Sequence, residues 1–226
     1  MTQLALALPH RPSHRGEDFF VAPPNEAAVR HVDAWPKWPH HALILVGPEG
    51  AGKSHLASVF EARSGAMRVA HGDVGARSRL MRRDGPAVIV EDIDRGLQQG
   101  RLDPVDLFHL FNWIGERGGS LLMTSRLTPA RLRPALRDLA SRLLATPLSE
   151  IGPPDDTLLA AVMVKRFRDR QLRVDPALID YALGRMERSF AALEAFVATL
   201  DRESLARRRA PNIALAREAM SLLGWL

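Results

Sequence analysis

The chain of 226 residues contains no cysteine. Disulfide staples and cysteine-ligated metal centres are therefore excluded, and a reducing compartment fits. No apolar stretch approaches the roughly 18 residues of a membrane-spanning helix. Leu4-Ala5-Leu6-Ala7-Leu8 is too short for the core of a secretory leader and has no basic segment ahead of it, so an intracellular chain without a membrane partner is expected. Lysine is scarce, at positions 37, 53 and 165 only, and the net charge of +5 is carried by arginine. Because arginine stays protonated to very high pH, the isoelectric point near 10.5 overstates the basicity at neutrality. The cluster Arg207-Arg208-Arg209 accordingly reads as a solvated helix end rather than a nucleic-acid contact. Repeats and low-complexity tracts are also lacking. With 46% hydrophobic and 25% charged residues, the composition is that of one large folded domain, or of a core domain with a small satellite.

What stands out against this background is the run Gly47-Pro48-Glu49-Gly50-Ala51-Gly52-Lys53-Ser54. It matches the phosphate-loop pattern G-x-x-x-x-G-K-[ST], in which backbone N–H groups cradle phosphates, the lysine adds a positive charge and the hydroxyl can hold Mg²⁺. Its context agrees with the pattern. Ala42 to Val46 suits a buried strand, and the stretch opened by His55 and running to Arg63 suits a helix whose N-terminus would face the phosphates. Further along, Met67 to His71 and Ala87 to Val90 read as strands, 74–83 as a polar helix or loop, and 103–117 as an amphipathic helix stopped by Gly118-Gly119. Ser120 to Ser125 reads as another buried strand, Leu136 to Ala140 as a short helix, and a last strand is expected near Leu143 to Leu148. Such alternation predicts an α/β fold with a parallel sheet covered by helices on both faces. Beyond Pro153-Pro154 the strand runs cease, and helices are expected over 157–170, 176–185, 189–203 and 212–223. The division that follows is a tail over 1–16, a nucleotide-binding α/β part over 17–152 and a helical lid over 153–226.

The acidic end of the second apolar strand, Glu91-Asp92, should meet the phosphate loop at the ligand side of the sheet. Glu91 is assigned the metal role and Asp92 the orientation of an attacking water. Thr124 and Ser125 end the neighbouring strand, where a hydroxyl can sense the terminal phosphate or the water. Arg142, within Asp138-Leu139-Ala140-Ser141-Arg142-Leu143, falls on a surface helix end and is a candidate for contacting a nucleotide bound to another chain. In the tail, Gln3-Leu4-Ala5-Leu6-Ala7-Leu8 would direct three leucines one way from an extended peptide, suiting a partner's groove. Trp35-Pro36-Lys37-Trp38-Pro39 reads as a stiff connector packed on the core rather than as a base-stacking platform.

In their order, the phosphate loop, Val-Ile-Val-Glu-Asp, Leu-Met-Thr-Ser, Ser-Arg-Leu and the helical C-terminal part resemble the AAA+ ATPases. More narrowly, Trp-Pro before the first strand, Gly-Lys-Ser-His-Leu, Met-Thr-Ser followed by Pro129, and Asp-Leu-Ala-Ser-Arg-Leu are similar to the replication initiator DnaA and its shortened relatives of the Hda type, over about residues 17 to 222. The tail resembles the sliding-clamp-binding peptide of the Hda group, and no C-terminal DNA-reading domain is expected. The resemblance implies a negative regulator of replication initiation. Such a protein holds ADP or ATP with Mg²⁺, docks on the DNA polymerase III clamp through Gln3, Leu4, Leu6 and Leu8, and stimulates hydrolysis of DnaA-bound ATP. It also implies that Arg142 is an arginine finger acting in trans and that Arg188 is a second sensor arginine on the bound nucleotide. Phe20 and Val21 would line the adenine pocket, and a cytoplasmic protein at the nucleoid or replisome is implied. Two departures stand out, Arg126 where DnaA-like chains place an Asp after Thr-Ser, and Glu91 where the magnesium ligand is usually Asp. Both fit a nucleotide-holding partner better than a fast ATPase. The alternative is a self-assembling AAA+ ATPase acting on DNA, such as a helicase loader; a homodimer and an indirect or weak DNA contact stay open. A small-molecule kinase leaves the lid and Ser-Arg-Leu without a role.

Overall fold

The computed structural model describes residues 10–11, 19–73 and 85–226. Strands β1 (His10–Arg11) and β2 (Phe19–Phe20) pair antiparallel, so part of the span expected as a tail is held against the start of the globular body. The strands β3 (Ala42–Val46), β4 (Met67–Arg68), β5 (Ala87–Val90), β6 (Ser120–Ser125) and β7 (Leu148–Glu150) form a parallel sheet in the order β4-β5-β6-β3-β7. β3 therefore lies between β6 and β7, and the loops leaving β3, β5 and β6 converge on one edge of the sheet.

Helices cover both faces, which is why β3 and β5 are buried at every position and read as continuous apolar runs. Ala42, Ile44 and Val46 point to one face, against α3 (Ile93–Gln98), α4 (Pro104–Glu116) and α6 (Arg137–Ala145), through Ile93, Phe111 and Leu143. Leu43 and Leu45 point to the other, against α1 (Pro23–Asp33) and α2 (Lys53–Ser64), through Val32, Leu56 and Phe60. Trp38 stacks on Phe60 with ring centroids 5.0 Å apart, and Trp35 meets the same ring edge-on at 5.8 Å. The Trp-Pro connector is thus core packing. A single turn, α5 (Pro129–Leu132), follows β6.

The C-terminal part builds its own core from α7 (Asp156–Asp169), α8 (Pro176–Leu183), α9 (Phe190–Arg207) and α10 (Ile213–Leu222), centred on Met163, Phe167, Phe196 and Met220. Each of these helices starts on a side-chain cap: Asp155, Asp175, Ser189 and Asn212 accept hydrogen bonds from first-turn N–H groups. Arg207 pairs with Glu203 and Glu218, consistent with a solvated helix end.

Several elements differ from the sequence-based expectation, among them the unexpected turn α5 and a β4 of two residues. The last strand is Leu148–Glu150, and Leu143 belongs to α6, because Leu139 and Leu143 are both fully buried at helical spacing while β7 buries only Ser149. Helix α3 was not expected at all. The region 74–83, expected as helix or loop, lies outside the described residues, as do Gln3, Leu4, Leu6 and Leu8.

Candidate phosphate-binding site

The phosphate loop leaves β3 and runs into α2, whose N-cap is Gly52 with φ 94° and no side-chain cap. The first N–H groups of α2 are therefore available to an anion, and the helix dipole favours one there. Gly50 also has φ 77°, and a Cβ on it would stand 2.8 Å from Cβ of Phe190 at the start of α9. Only glycine lets the loop pass this close to the lid. Lys53 is 6% exposed and donates from Nζ to the carbonyl oxygens of Gly47 at 2.7 Å and Pro48 at 2.8 Å. Burial lowers its pKa, against the opposing pull of Asp92 and Asp94.

Two contiguous cavities surround the loop. One, of about 330 Å³, lies between the sheet body and the lid, with Phe20, Asn25 and Ala51 on one side and Leu158, Val162, Lys165, Arg166, Phe190 and Glu194 on the other. The second, of about 310 Å³, is lined by Lys53, Ser54, Asp92, Arg95 and Arg126, and shares Glu49, Gly50, Gly52 and His55 with the first. The former presents mainly apolar surface, and the latter is lined mostly by charged and polar side chains.

Asp92 caps α3 at φ 48°, a strained conformation for a non-glycine residue, and its N–H donates to Thr124 Oγ1 at 2.9 Å. Asp92 is thereby fixed in the phosphate cavity beside Ser54. Glu91 is engaged elsewhere: its carboxylate pairs with Arg68, which also binds Glu61 at 2.9 Å and Ser58 Oγ at 2.8 Å, and it lines an adjoining cavity with His71 and Arg101, which shares Asp92 and Arg95 with the phosphate cavity. Beyond the end of β5, Asp92 at its positive-φ N-cap position lines both of these cavities, whereas Glu91 is absent from the lining of the phosphate cavity. Ser125 is fully buried and its hydroxyl is engaged locally, donating to the Leu127 carbonyl at 2.6 Å and accepting from the Leu127 N–H at 3.0 Å. Arg188 forms a two-pronged pair with Asp156 at 2.8 and 3.0 Å and lines neither cavity; this pairing raises its pKa. Phe20 lines the first cavity, and Val21 packs on the apolar cluster beneath it.

Arg142 is exposed near the end of α6 and makes no side-chain hydrogen bond or ion pair among the described residues. It lies close enough to His41 to contribute to lowering that histidine's pKa, after burial and His40. His41 immediately precedes β3, whereas Gly47 follows it, so Arg142 and the phosphate loop occupy opposite ends of the strand. A five-residue strand separates them by about 16 Å.

Several lining residues escaped the sequence reading. Asn25 is buried, accepts the Ala22 N–H at 2.9 Å and donates to the Phe20 carbonyl at 2.9 Å, holding the segment that carries Phe20. Its position after two prolines at a helix start was the available signal. Phe190, Lys165 and Arg166 had none, since nothing local marks them.

These features define a class, the AAA+ P-loop fold with a helical C-terminal part. Within it the chain is similar in sequence to the replication initiator DnaA. It is 25% identical over 232 residues to DnaA of Thermomicrobium roseum, covering 92% of this chain and 50% of that protein. Over 231 residues it is 22% identical to DnaA of Campylobacter curvus, covering 92% of this chain and 52% of that one. The DnaA domain III structure from Thermotoga maritima superposes with a TM-score of 0.73 at 16% identity, covering 90% of this chain and 93% of that domain. AMPPCP-bound DnaA from Aquifex aeolicus gives 0.67 at 17% identity, covering 89% and 70%. No family model matches the chain. The similarity is therefore to part of DnaA, and the chain spans about half the length of these two curated relatives. Among the described residues, no helix is long and apolar enough to cross a membrane.

Proposed function

We propose that the chain is a nucleotide-holding regulator of replication initiation, of the Hda type rather than an initiator. It docks on the DNA polymerase III sliding clamp through Gln3, Leu4, Leu6 and Leu8 and presents Arg142 in trans to ATP bound on DnaA. The observation that carries this reading is the position of Arg142, exposed, free of ion pairs among the described residues, and at the end of the sheet remote from its own phosphate loop. An arginine so placed serves a neighbour's nucleotide, not this chain's. Leu144 beside it is 61% exposed, an apolar contact for such a neighbour.

In its own site the chain holds ADP or ATP. The base sits by Phe20, over Val21 and against Phe190, and Gly47 to Ser54, with His55 beginning α2, take the phosphates. Two oxygen donors facing the same cavity, Ser54 and Asp92, suit Mg²⁺, which usually keeps several waters and phosphate oxygens as its other ligands. The ion would neutralise phosphate charge. Glu91, engaged by Arg68, supports the strand end rather than the metal. Release of Arg188 from Asp156 would let it reach the phosphates, and with the Ser125 hydroxyl committed to Leu127, Asp92 is left to orient a water. This sparse set suits slow intrinsic turnover, and with the clamp and DnaA as its partners the protein works at the replisome in the cytoplasm.

The test is hydrolysis of DnaA-bound ATP in the presence of clamp and DNA, comparing the intact chain with Arg142→Ala. An arginine finger is typically worth about 10³ to 10⁵ in rate, so the variant should lose nearly all stimulation while still binding nucleotide. Equal stimulation by both proteins would remove Arg142 from the mechanism. High turnover by the chain alone, lost in Arg142→Ala, would instead identify a self-assembling ATPase that offers the arginine to a second copy of itself.

A further inference from the structure

Lys165 is one of the three lysines of the chain, and its side chain is only 12% exposed. It lines the cavity between the sheet body and the lid, with Arg166 beside it on α7 and Glu194 on α9. Apart from Glu49 in the phosphate loop and His55 at the start of α2, these three are the ionisable side chains of that lining among the described residues, set in mainly apolar surface. Charges retained in such a wall call for a polar partner.

The helices say which end of the cavity the charges occupy. Phe190 opens α9 against Gly50, where a Cβ would come within 2.8 Å of the Phe190 Cβ. Glu194 stands one turn further on, about 6 Å along the axis. Helix α7 starts shortly after Ile151, whose backbone carbonyl packs on Gly47, and Leu158 in its first turn lines the cavity near the loop. Lys165 lies two turns beyond Leu158, about 11 Å along that axis. Both helices thus carry their charges away from the phosphate loop, to where the outer edge of a base would lie.

Both groups have hydrogen-bonding capacity left. Lys165 Nζ donates to Oδ2 of Asp169 at 2.7 Å, which uses one of its three N–H bonds. One carboxylate oxygen of Glu194 pairs with Arg166, and the other is 3.7 Å from Arg170 Nη2, beyond hydrogen-bond reach. An ammonium can only donate and a carboxylate can only accept. Adenine therefore has one way to satisfy the pair: its 6-amino group to Glu194 and its unprotonated N1 to Lys165. In the same pose a 6-oxo purine sets its carbonyl against the carboxylate and its N1–H against the ammonium.

Resting on the nucleotide-site reading above, we infer that Lys165 and Glu194 of the lid read the edge of the base and make the site select a 6-amino purine over a 6-oxo purine. Phe20 and Phe190 supply apolar contact, which does not distinguish the two rings.

The experiment is equilibrium titration of the full chain with ADP and with inosine diphosphate, which differ only at this edge, for the wild type, Lys165→Met and Glu194→Gln. The wild type should bind ADP about 10- to 100-fold more tightly, as expected when hydrogen bonds to charged groups are lost. Lys165→Met should weaken ADP by about tenfold and inosine diphosphate by less. Glu194→Gln keeps an acceptor oxygen and adds an amide N–H that a 6-oxo group can accept, so inosine diphosphate should bind more tightly and the ratio should narrow. A merely structural lesion weakens both ligands together and leaves the ratio unchanged. Equal wild-type affinities, or a ratio unchanged in either variant, would overturn the inference while leaving the nucleotide site standing. Failure of the wild type to bind either nucleotide would overturn both.

Discussion

Asp94 ties the chemistry of the site to the stability of the fold. Burial alone would raise its pKa, but hydrogen bonds from the Arg126 guanidinium and backbone outweigh burial and hold it below the ordinary carboxylate value. A depressed folded pKa adds stability that is complete above the unfolded value near ~3.9 and is lost as pH falls through the folded one. Asp94→Asn should therefore cost about 1–3 kcal/mol at pH 7, by removing a charged partner from Arg126. The difference from the wild type should shrink on acidification below about pH 4. Urea unfolding at pH 7 and pH 3 measures this, and a difference independent of pH would show that the ionised pair is not its source. The pairing was invisible in the sequence because its partners stand 32 positions apart and meet only when β6 lies beside β5. The phosphate loop was legible because backbone conformation, lysine and hydroxyl are all written in consecutive residues.

Legibility of elements followed the same division between local and non-local causes. β3, β5 and β6 announced themselves as apolar runs because helices cover both faces of the sheet. β7 did not, having three residues with only the middle one buried. Helix α3 was hidden by its carboxylates and by Gly96, which is required there because a Cβ would fall 2.7 Å from the His71 ring and 2.9 Å from Leu102. Helix α6 matters most for the proposed activity, since it carries Arg142 and is held by only two buried side chains, Leu139 and Leu143. Leu143→Ala should destabilise the protein by about 2–5 kcal/mol, whereas Leu143→Met should cost less than about 1.5 kcal/mol. If α6 is the platform for the arginine, Leu143→Ala below its melting temperature should lose stimulation of DnaA-bound ATP hydrolysis while keeping its own nucleotide affinity. A parallel loss of both would mean that the whole sheet, not the helix, had loosened.

At the scale of the molecule, the two ends of the sheet have separate tasks. In the proposed function one end, with the lid, retains a nucleotide, while the other presents Arg142 about one strand length away. An exposed arginine and a lone apolar neighbour make a small contact surface, which by itself would bind a partner weakly. Tethering removes that difficulty. If the segment from Gln3 to Leu8 docks on a ring-shaped clamp that also concentrates the partner on DNA, encounter becomes effectively intramolecular, at up to about millimolar effective concentration. The tail then contributes to recruitment and nothing to chemistry, and this separates it experimentally from the site. Replacing Gln3 and Leu6 together with alanine should abolish co-sedimentation with the clamp and leave ATP and ADP affinities unchanged. Clamp-dependent stimulation of DnaA-bound ATP hydrolysis should fall to the level seen without clamp, and raising the protein toward millimolar concentration should restore it through the untethered contact. Unchanged co-sedimentation would take the tail out of the mechanism, and a loss that no concentration restores would mean that the clamp orients the arginine as well as gathering the partners.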